Sequence, residues 1–223
     1  MMDLSAILTL DNFLYLLYGA AMSLGIAAIA VLGGITIGII IAIFKSSKKK
    51  ILKIIGNIYV EVIRGTPMLL QILFFYLGIP VIYRMILGSS LRVDIYICGI
   101  LAMALNSGAY CAELIRSAIA SIDKGQREAG ISLDLKESEI MRYIILPQAI
   151  RRIIPPLVSE FITLIKDSSL LGTIGVMELL NRAKIIGTNY YNYLIPLLMA
   201  SAMYLVMTIC ISYLSRALER KLS

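Results

Sequence analysis

The stretch EAGISLD at residues 128–134, followed by RYIILPQ at 142–148, is polar, basic and prone to form helices, yet it separates strongly apolar segments. Asp123 stands three residues before Gln126, and Asp134 stands three residues before Glu137. In each pair a side-chain oxygen can cap an N–H group at a helix start. The sequence therefore predicts two short helices joined at a bend, in a loop of about residues 121–147.

The composition predicts a polytopic membrane protein. Apolar residues occupy 59% of the 223 positions, and the mean hydropathy is +0.87, which exceeds the values of soluble domains. The net charge of +7 arises from Lys and Arg at the ends of apolar runs. This distribution indicates membrane topology and argues against nucleic acid binding.

Five helices are predicted to cross the membrane, since a helix needs roughly 20 apolar residues to do so. They cover about residues 13–44, 54–82, 95–115, a fourth span from near residue 148, and residues 193–214. Among the basic residues that flank these spans, only Arg84, Arg92, Arg182 and Lys184 then lie outside. The excess of positive charge at the other ends predicts an N-terminus outside and a C-terminus in the cytoplasm, with residues 1–223 forming a single domain.

Small residues within the spans are interpreted as packing residues. The three cysteines lack CxxC spacing and the chain has no His, so no metal site is predicted. The glycines of the first span are attributed to the abundance of Gly in membrane helices, with close helix contacts as the alternative. These residues are Cys98, Cys111, Cys210, Gly19, Gly25, Gly34 and Gly38.

The three middle spans carry polar and charged side chains at similar depth. Counted from the nearest interfacial residue at about 1.5 Å per residue, Arg64, Asn106 and Lys166 each lie near the bilayer midplane. A charge there costs about 2.5 to 3.5 kcal/mol unless it faces protein or water, so a substrate site is favoured, with a structural polar network as the alternative. The candidate substrate-binding residues are Arg64, Thr66, Gln71, Asn106, Ser107, Glu160, Lys166, Asp167 and Ser168.

The signs of these charges favour a zwitterionic solute such as an amino acid. Arg64 suits a carboxylate, and Glu160, together with Asn106, suits an amino group or a cationic side chain. Lys166 is expected to balance Asp167. The run of polar residues at 166–169 predicts a break or an unwound turn buried against protein, and Pro67 is expected to loosen the second span.

Four segments together resemble the permease subunits of ABC importers, in the branch that takes up polar amino acids such as His, Arg, Lys, Gln or cystine. They are the loop at 128–147, EVIRGTP at 61–67 with Gln71, NSGAY at 106–110 and LIKDSS at 164–169. The resemblance implies a type I importer permease (MetI-like) fold with five transmembrane helices and a cytoplasmic coupling helix. It also implies a multi-pass protein of the bacterial cytoplasmic (inner) membrane.

The same resemblance implies partners. They are a second permease subunit, with two identical copies favoured over two different chains, two ATPase subunits and an extracytoplasmic amino-acid-binding protein. ATP and Mg would be bound by the ATPase, with no cofactor in this chain. In the family, substrate is held near the midplane, which carries over to Arg64, Asn106, Glu160, Lys166 and Asp167.

The loop residues implied in coupling to the ATPase are Gln126, Glu128, Ala129, Gly130, Ser132, Leu133 and Asp134. The family usually has Gly where this chain has Asp134, and Ala where it has Gly130. Asp tolerates a positive φ and can cap a following helix, so the bend is expected to form.

Other function classes fit less well. The chain has no GxxxxGK[ST] motif, so the energy for transport is expected from a partner. An intramembrane enzyme is disfavoured because there is no His, no metal-ligand cluster and no Ser in a nucleophile context. A channel or scaffold is disfavoured by the docking loop, and an importer of another small polar solute stays open.

Overall fold

A computed structural model of the chain describes the backbone of residues 4–222 and the side chains of residues 6–217. All regular structure in this part is helical, which confirms the predicted all-α fold. The α-helices are α1 (Leu4–Ile7), α2 (Leu10–Ser46), α3 (Lys50–Arg64), α4 (Met68–Leu73), α5 (Ile79–Leu87), α6 (Ile95–Ala120), α7 (Lys124–Ser132), α8 (Glu137–Glu139), α9 (Leu146–Asp167), α10 (Leu179–Asn189) and α11 (Leu194–Leu222). The π-helical turns Phe74–Gly78 and Ile140–Ile145 precede α5 and α9, and a 3₁₀ helix, Ser168–Ile174, follows α9.

Four helical stretches of the described residues are long and apolar enough to cross a membrane. They are Leu10–Ser46, Met68–Leu87, Ile95–Ala120 and Leu194–Ala217. They agree with the first, third and fifth predicted spans and with the second half of the second. The fourth predicted span is α9, whose 22 residues form a helix but are less apolar than those of the other four.

The predicted second span is two helices, because the helix is interrupted at Pro67. Proline has no backbone N–H and crowds the preceding turn, so α3 ends at Arg64 and α4 begins at Met68. The Gln71 side chain fills the break: its amide donates to the Ile63 carbonyl at 2.8 Å and to the Thr66 hydroxyl at 2.9 Å. The carbonyls at the end of α3 thus obtain the partners that they lose where the helix stops.

Glycines set the contact between α2 and α6, which corrects the interpretation of Gly34 and Gly38 as incidental. A Cβ atom on Gly34 would lie 2.6 Å from Ser107 Cβ, and one on Gly38 would lie 2.5 Å from Cys111 Cβ. The paired residue numbers rise together, so the two helices run parallel. Because only Gly fits at these points, the backbones approach closely and bury Ser107 and Cys111.

Helix α9 runs antiparallel to α6. At its start, Arg152 hydrogen-bonds the carbonyl of Ser121, which directly follows α6. Towards its end, Leu164 and Ile165 pack in the main apolar cluster with Met103 from the middle of α6. Helix α11 packs first against the start of α2 and then against the main cluster, so it runs parallel to α2.

The loop at 121–147 is two short helices joined at a bend, as predicted, but its second start differs. Asp123 caps α7 by accepting the Gly125 N–H at 2.7 Å. Asp134 adopts a φ of 56° and closes α7: its own N–H bonds to the Ile131 carbonyl and the next N–H bonds to Gly130. This is the pattern usually completed by Gly, and it prevents Asp134 from starting the next helix. Instead α8 starts after Lys136, whose N–H is accepted by the carboxylate of Glu139 at 2.8 Å.

We expect Gly38→Ala to destabilise the protein by about 1 to 3 kcal/mol, since a methyl group would press on α6. The matched control is Gly25→Ala in the same helix, where a Cβ meets nothing within 4 Å. Thermal unfolding of both purified variants checks this. Equal melting temperatures of the two variants would show that α2 and α6 can move apart without loss of stability.

Candidate functional site

A cavity of about 500 Å³ lies between the end of α3, the second half of α6 and the middle of α9. This volume falls within the range of small-molecule sites. Of the nine predicted substrate-binding residues, the structure brings two, Arg64 and Glu160, to its walls. The lining residues are Arg64, Tyr110, Glu113, Leu114, Ser117, Pro156, Ser159, Glu160 and Thr163.

Arg64 reaches the cavity because the break at Pro67 makes it the last residue of α3. A cation is favoured at a helix C-terminus, where the backbone carbonyls carry partial negative charge. Its guanidinium lies over the Tyr110 ring, 5.1 Å from the ring centroid. A cation at this distance is attracted to the ring face, so Tyr110 holds the positive charge at one wall.

Glu160 stands on α9, on a wall formed by a different helix. It is half-buried, and its carboxylate lies near enough to the buried Ser107 hydroxyl to interact with it electrostatically. Ser107 is held in turn by the close contact of α6 with Gly34 of α2. The cavity therefore carries a cation on α3 and a carboxylate on α9, an arrangement that can bind both ends of a zwitterion.

The polar residues Thr66, Gln71 and Asn106 lie beside the cavity and form a network among themselves. The amide of Asn106 donates to Gln71 Oε1 at 3.0 Å, and both side chains are buried. Together with the bonds from Gln71 to the end of α3, this network ties the helix break to α6. Because Gln71 bonds to Ile63 and Thr66 on either side of Arg64, the network holds the backbone that carries Arg64.

Residues 166–168 lie further along α9. Lys166 is exposed, Asp167 is half-buried, and the buried Ser168 hydroxyl donates to the Ile165 carbonyl at 2.7 Å. The predicted break or unwound turn at 166–169 is wrong: α9 continues through Asp167 and tightens into a 3₁₀ helix from Ser168, since the hydroxyl bond satisfies a carbonyl in the last turn. The expected balance of charge between Lys166 and Asp167 stays a prediction.

The substrate-binding residues named from the sequence do not include several lining residues. The sequence alone leaves the helix face shared by Asn106, Tyr110 and Glu113 open between interhelical contacts and a lining. Glu113 closes one end of the cavity, where its carboxylate accepts from Lys45 of α2 at 2.9 Å and from Arg116. Ser159 and Thr163 belong to the wall formed by α9. The available signal was the helical spacing of 156, 159, 160 and 163, which places these residues on one face with Glu160.

No metal site accompanies the cavity within the part of the chain that the structure describes. No three His, Cys, Asp or Glu side chains there come close enough to hold an ion. Arg64 and Glu160 face an open cavity from different helices, while the carboxylate of Glu113 is already paired with Lys45 and Arg116. This arrangement suits reversible binding of a small polar solute.

The coupling residues named from the sequence lie exposed on α7 or directly after it, apart from Gly130, which is buried. A Cβ on Gly130 would lie 2.8 Å from Ile140, so Gly allows the two halves of the loop to pack together. The loop is joined to α9 by the hydrogen bond from Gln148 to Gln126 at 3.2 Å and by that of Arg152 to Ser121.

Comparison with known proteins shows the family to which the chain belongs. Residues 34–223 match the family described as "Binding-protein-dependent transport system inner membrane component". The chain is 39% identical to a putative glutamine transport system permease protein GlnP of Rickettsia typhi, over 95% of this chain and 94% of the relative. It is 36% identical to the arginine transport system permease protein ArtQ of Bacillus subtilis, over 99% and 97%.

Solved structures give the same placement. The chain is similar to one from "an amino acid ABC transporter with histidines", with a TM-score of 0.91 and 37% identity over 99% of both chains. A chain of the MetNI methionine ABC transporter, at 17% identity, shares the fold with a TM-score of 0.74 over 97% of this chain. The predicted MetI-like permease fold is thereby confirmed. The chain belongs to the family of binding-protein-dependent transport system inner membrane components, as a multi-pass permease and not an enzyme.

Proposed function

We propose that this permease carries a polar amino acid, cationic or zwitterionic, across the inner membrane in an ATP-driven importer. The observation that supports it best is the placement of Arg64 and Glu160 on different walls of one cavity. The glutamine and arginine permeases among the relatives support the same solute class. Another small polar solute is the alternative, but a solute without both a positive and a negative group would not need both Arg64 and Glu160.

The ligand binds in the cavity by both of its charged ends. Arg64, held on Tyr110, meets the carboxylate, and Glu160, beside Ser107, meets the amino group or a cationic side chain. Gln71 and Asn106 fix the helix break and so the position of Arg64. Because the two charged groups stand on helices that are separate in the chain, relative movement of α3 and α9 alters the affinity, as alternating access requires.

Five membrane crossings fit this role, with α9 as the fourth. Its 22 residues span about 33 Å at 1.5 Å per residue, enough for the hydrocarbon core. Its polar face borders the cavity, where water or protein replaces lipid. The N-terminus then lies outside, and the loop at 121–147 and the C-terminus lie in the cytoplasm.

Helix α7 acts as the coupling helix that docks on the ATPase. This helix is polar, but it also exposes apolar side chains to solvent. Ile131 is 59% exposed, and Leu133, the first residue after α7, is 73% exposed. Exposed apolar side chains outside the membrane indicate a protein interface. Movement of α7 reaches Glu160 through α9, since Arg152 and Gln148 tie the loop to the start of that helix.

The complete importer contains two permeases, two ATPase subunits and an extracytoplasmic binding protein. Two copies of this chain related by a two-fold axis normal to the membrane are favoured over two different permeases. Met68–Leu87 and Leu194–Ala217 bury only 11% of their apolar windows within one chain. These surfaces are available to the second permease and to lipid.

Glu160→Gln tests the substrate site. It keeps the shape and removes the charge, so we expect assembly and basal ATP hydrolysis to persist while binding-protein-dependent amino acid uptake falls by about tenfold or more. The matched control is Glu61→Gln, an exposed carboxylate of α3 outside the cavity, which should retain uptake. Uptake is measured in vesicles that contain the purified complex. Unchanged uptake by a well-assembled Glu160→Gln complex would mean that the ligand passes elsewhere.

Glu128→Lys and Leu133→Ser test the coupling helix. Both residues are exposed on or next to α7, so we expect the permease to fold and bind substrate, while ATPase association weakens by about tenfold or more. Co-purification of the ATPase and substrate-stimulated ATP hydrolysis provide the measurement. Ser138→Lys, an exposed change on α8, is the control. Wild-type coupling in both α7 variants would exclude this surface as the docking site.

A further inference from the structure

An apolar groove of about 700 Å³ runs along the outside of α2, α6 and α9, and shares no lining residue with the cavity described above. Helix α2 contributes Ile39 and Ile43, α6 contributes Ile115, and α9 contributes Ile150 and Ile153. Ile39, Ile43 and Ile150 are exposed, so the groove opens to the surroundings of the helix bundle. Nothing in transport by the cavity requires this groove.

The groove is polar at one end only. Ser46 and Ser47 line that end, where α2 stops. The next residues of the chain include four exposed lysines, Lys48, Lys49, Lys50 and Lys53. From Ile35 to Ser46 the groove follows about 16 Å of helix, close to the roughly 15 Å of hydrocarbon in one leaflet.

The connection from α2 to α3 and the first turn of α3 place these lysines at the level of lipid headgroups. Helix α3 begins at Lys50 and exposes the apolar side chains of Ile51, Ile54 and Ile58 on one face. The lysines stand where the apolar helix α2 has ended, so their long side chains place the ammonium groups in the headgroup layer. The lysine run and the polar end of the groove therefore meet the membrane at the same depth.

We propose that the groove and its lysine end form a site for an anionic phospholipid of the leaflet on the side of the 121–147 loop. One acyl chain lies in the groove between α2, α6 and α9. The headgroup phosphate lies beside the hydroxyls of Ser46 and Ser47 and the ammonium groups of Lys48 and Lys49. Lysines next to a membrane attract anionic headgroups, which selects such a lipid over a zwitterionic one.

Charge also disfavours a second permease as the occupant. A two-fold axis normal to the membrane joins the same end of both subunits. An interface over this groove would therefore bring the two lysine runs together. Like charges repel, whereas an anionic headgroup offsets them.

The site is tested on the delipidated complex of permease and ATPase by native mass spectrometry. The probes are dioleoyl phosphatidylglycerol and dioleoyl phosphatidylcholine, which differ in headgroup charge and share their acyl chains. We expect the wild type to retain phosphatidylglycerol in preference to phosphatidylcholine. Lys48→Gln/Lys49→Gln should lower phosphatidylglycerol retention by roughly tenfold and leave phosphatidylcholine unchanged. Arg84→Gln/Arg92→Gln, which removes two exposed charges elsewhere, is the matched control and should retain the wild-type preference.

A second variant tests the groove itself. Ile150→Trp adds bulk at an exposed lining position, so it should lower retention of phosphatidylglycerol in a complex that still assembles. An equal loss in the Arg84→Gln/Arg92→Gln control would reduce the effect to net charge and overturn the proposal. Wild-type retention in Ile150→Trp, or separation of the two permeases by this change on size-exclusion chromatography, would also overturn it.

Discussion

The close contact of α2 with α6, in which Gly34 and Gly38 admit Ser107 and Cys111, is the constraint on which the rest of the structure depends. It brings two parallel helices near enough to bury a polar side chain of α6. The Ser107 hydroxyl then lies where it can interact electrostatically with Glu160 of α9, and the following turns of α6 present Tyr110 and Glu113 to the cavity. The close approach of the α2 and α6 backbones thus fixes the position of the cavity wall, and the charged side chains depend on that position.

The second determinant is the interruption of the helix at Pro67. In an uninterrupted helix Arg64 would lie inside the span and not at a helix end, and a charge inside a span is costly unless it faces protein or water. The break makes Arg64 a helix terminus. Gln71 donates to the Ile63 carbonyl that the break exposes, and Asn106 donates to Gln71 and so holds it in place. Structural polar residues and lining residues are therefore neighbours along the chain but have separate tasks: the former hold the geometry, and the latter face the cavity.

Much of this was predictable from sequence, because apolar runs and charge at their ends report membrane helices directly. The helical loop with its bend, the weakness at Pro67 and the polar surfaces of three spans follow from local residue chemistry. Local chemistry did not reveal whether Gly34 and Gly38 touch another helix, since that depends on the register between distant segments. It also failed to separate Asn106, whose amide turns to Gln71, from Tyr110 and Glu113, because residues on one helix face can meet different neighbours. The spans were hardest to count at α9, where polar residues beside a cavity lower the hydropathy of a long helix.

The central claim is that Arg64 and Glu160 bind opposite ends of one solute in the cavity. The most direct measurement compares, for wild type, Arg64→Gln and Glu160→Gln complexes, how well an amino acid, its amide and its decarboxylated amine each bind to the permease. The account predicts that Arg64→Gln loses the preference for the amino acid over its amide and amine analogues, which lack the carboxylate. It predicts that Glu160→Gln weakens binding of all three, because each carries the amino group. Unchanged carboxylate preference in Arg64→Gln, with wild-type amine binding in Glu160→Gln, would contradict the account.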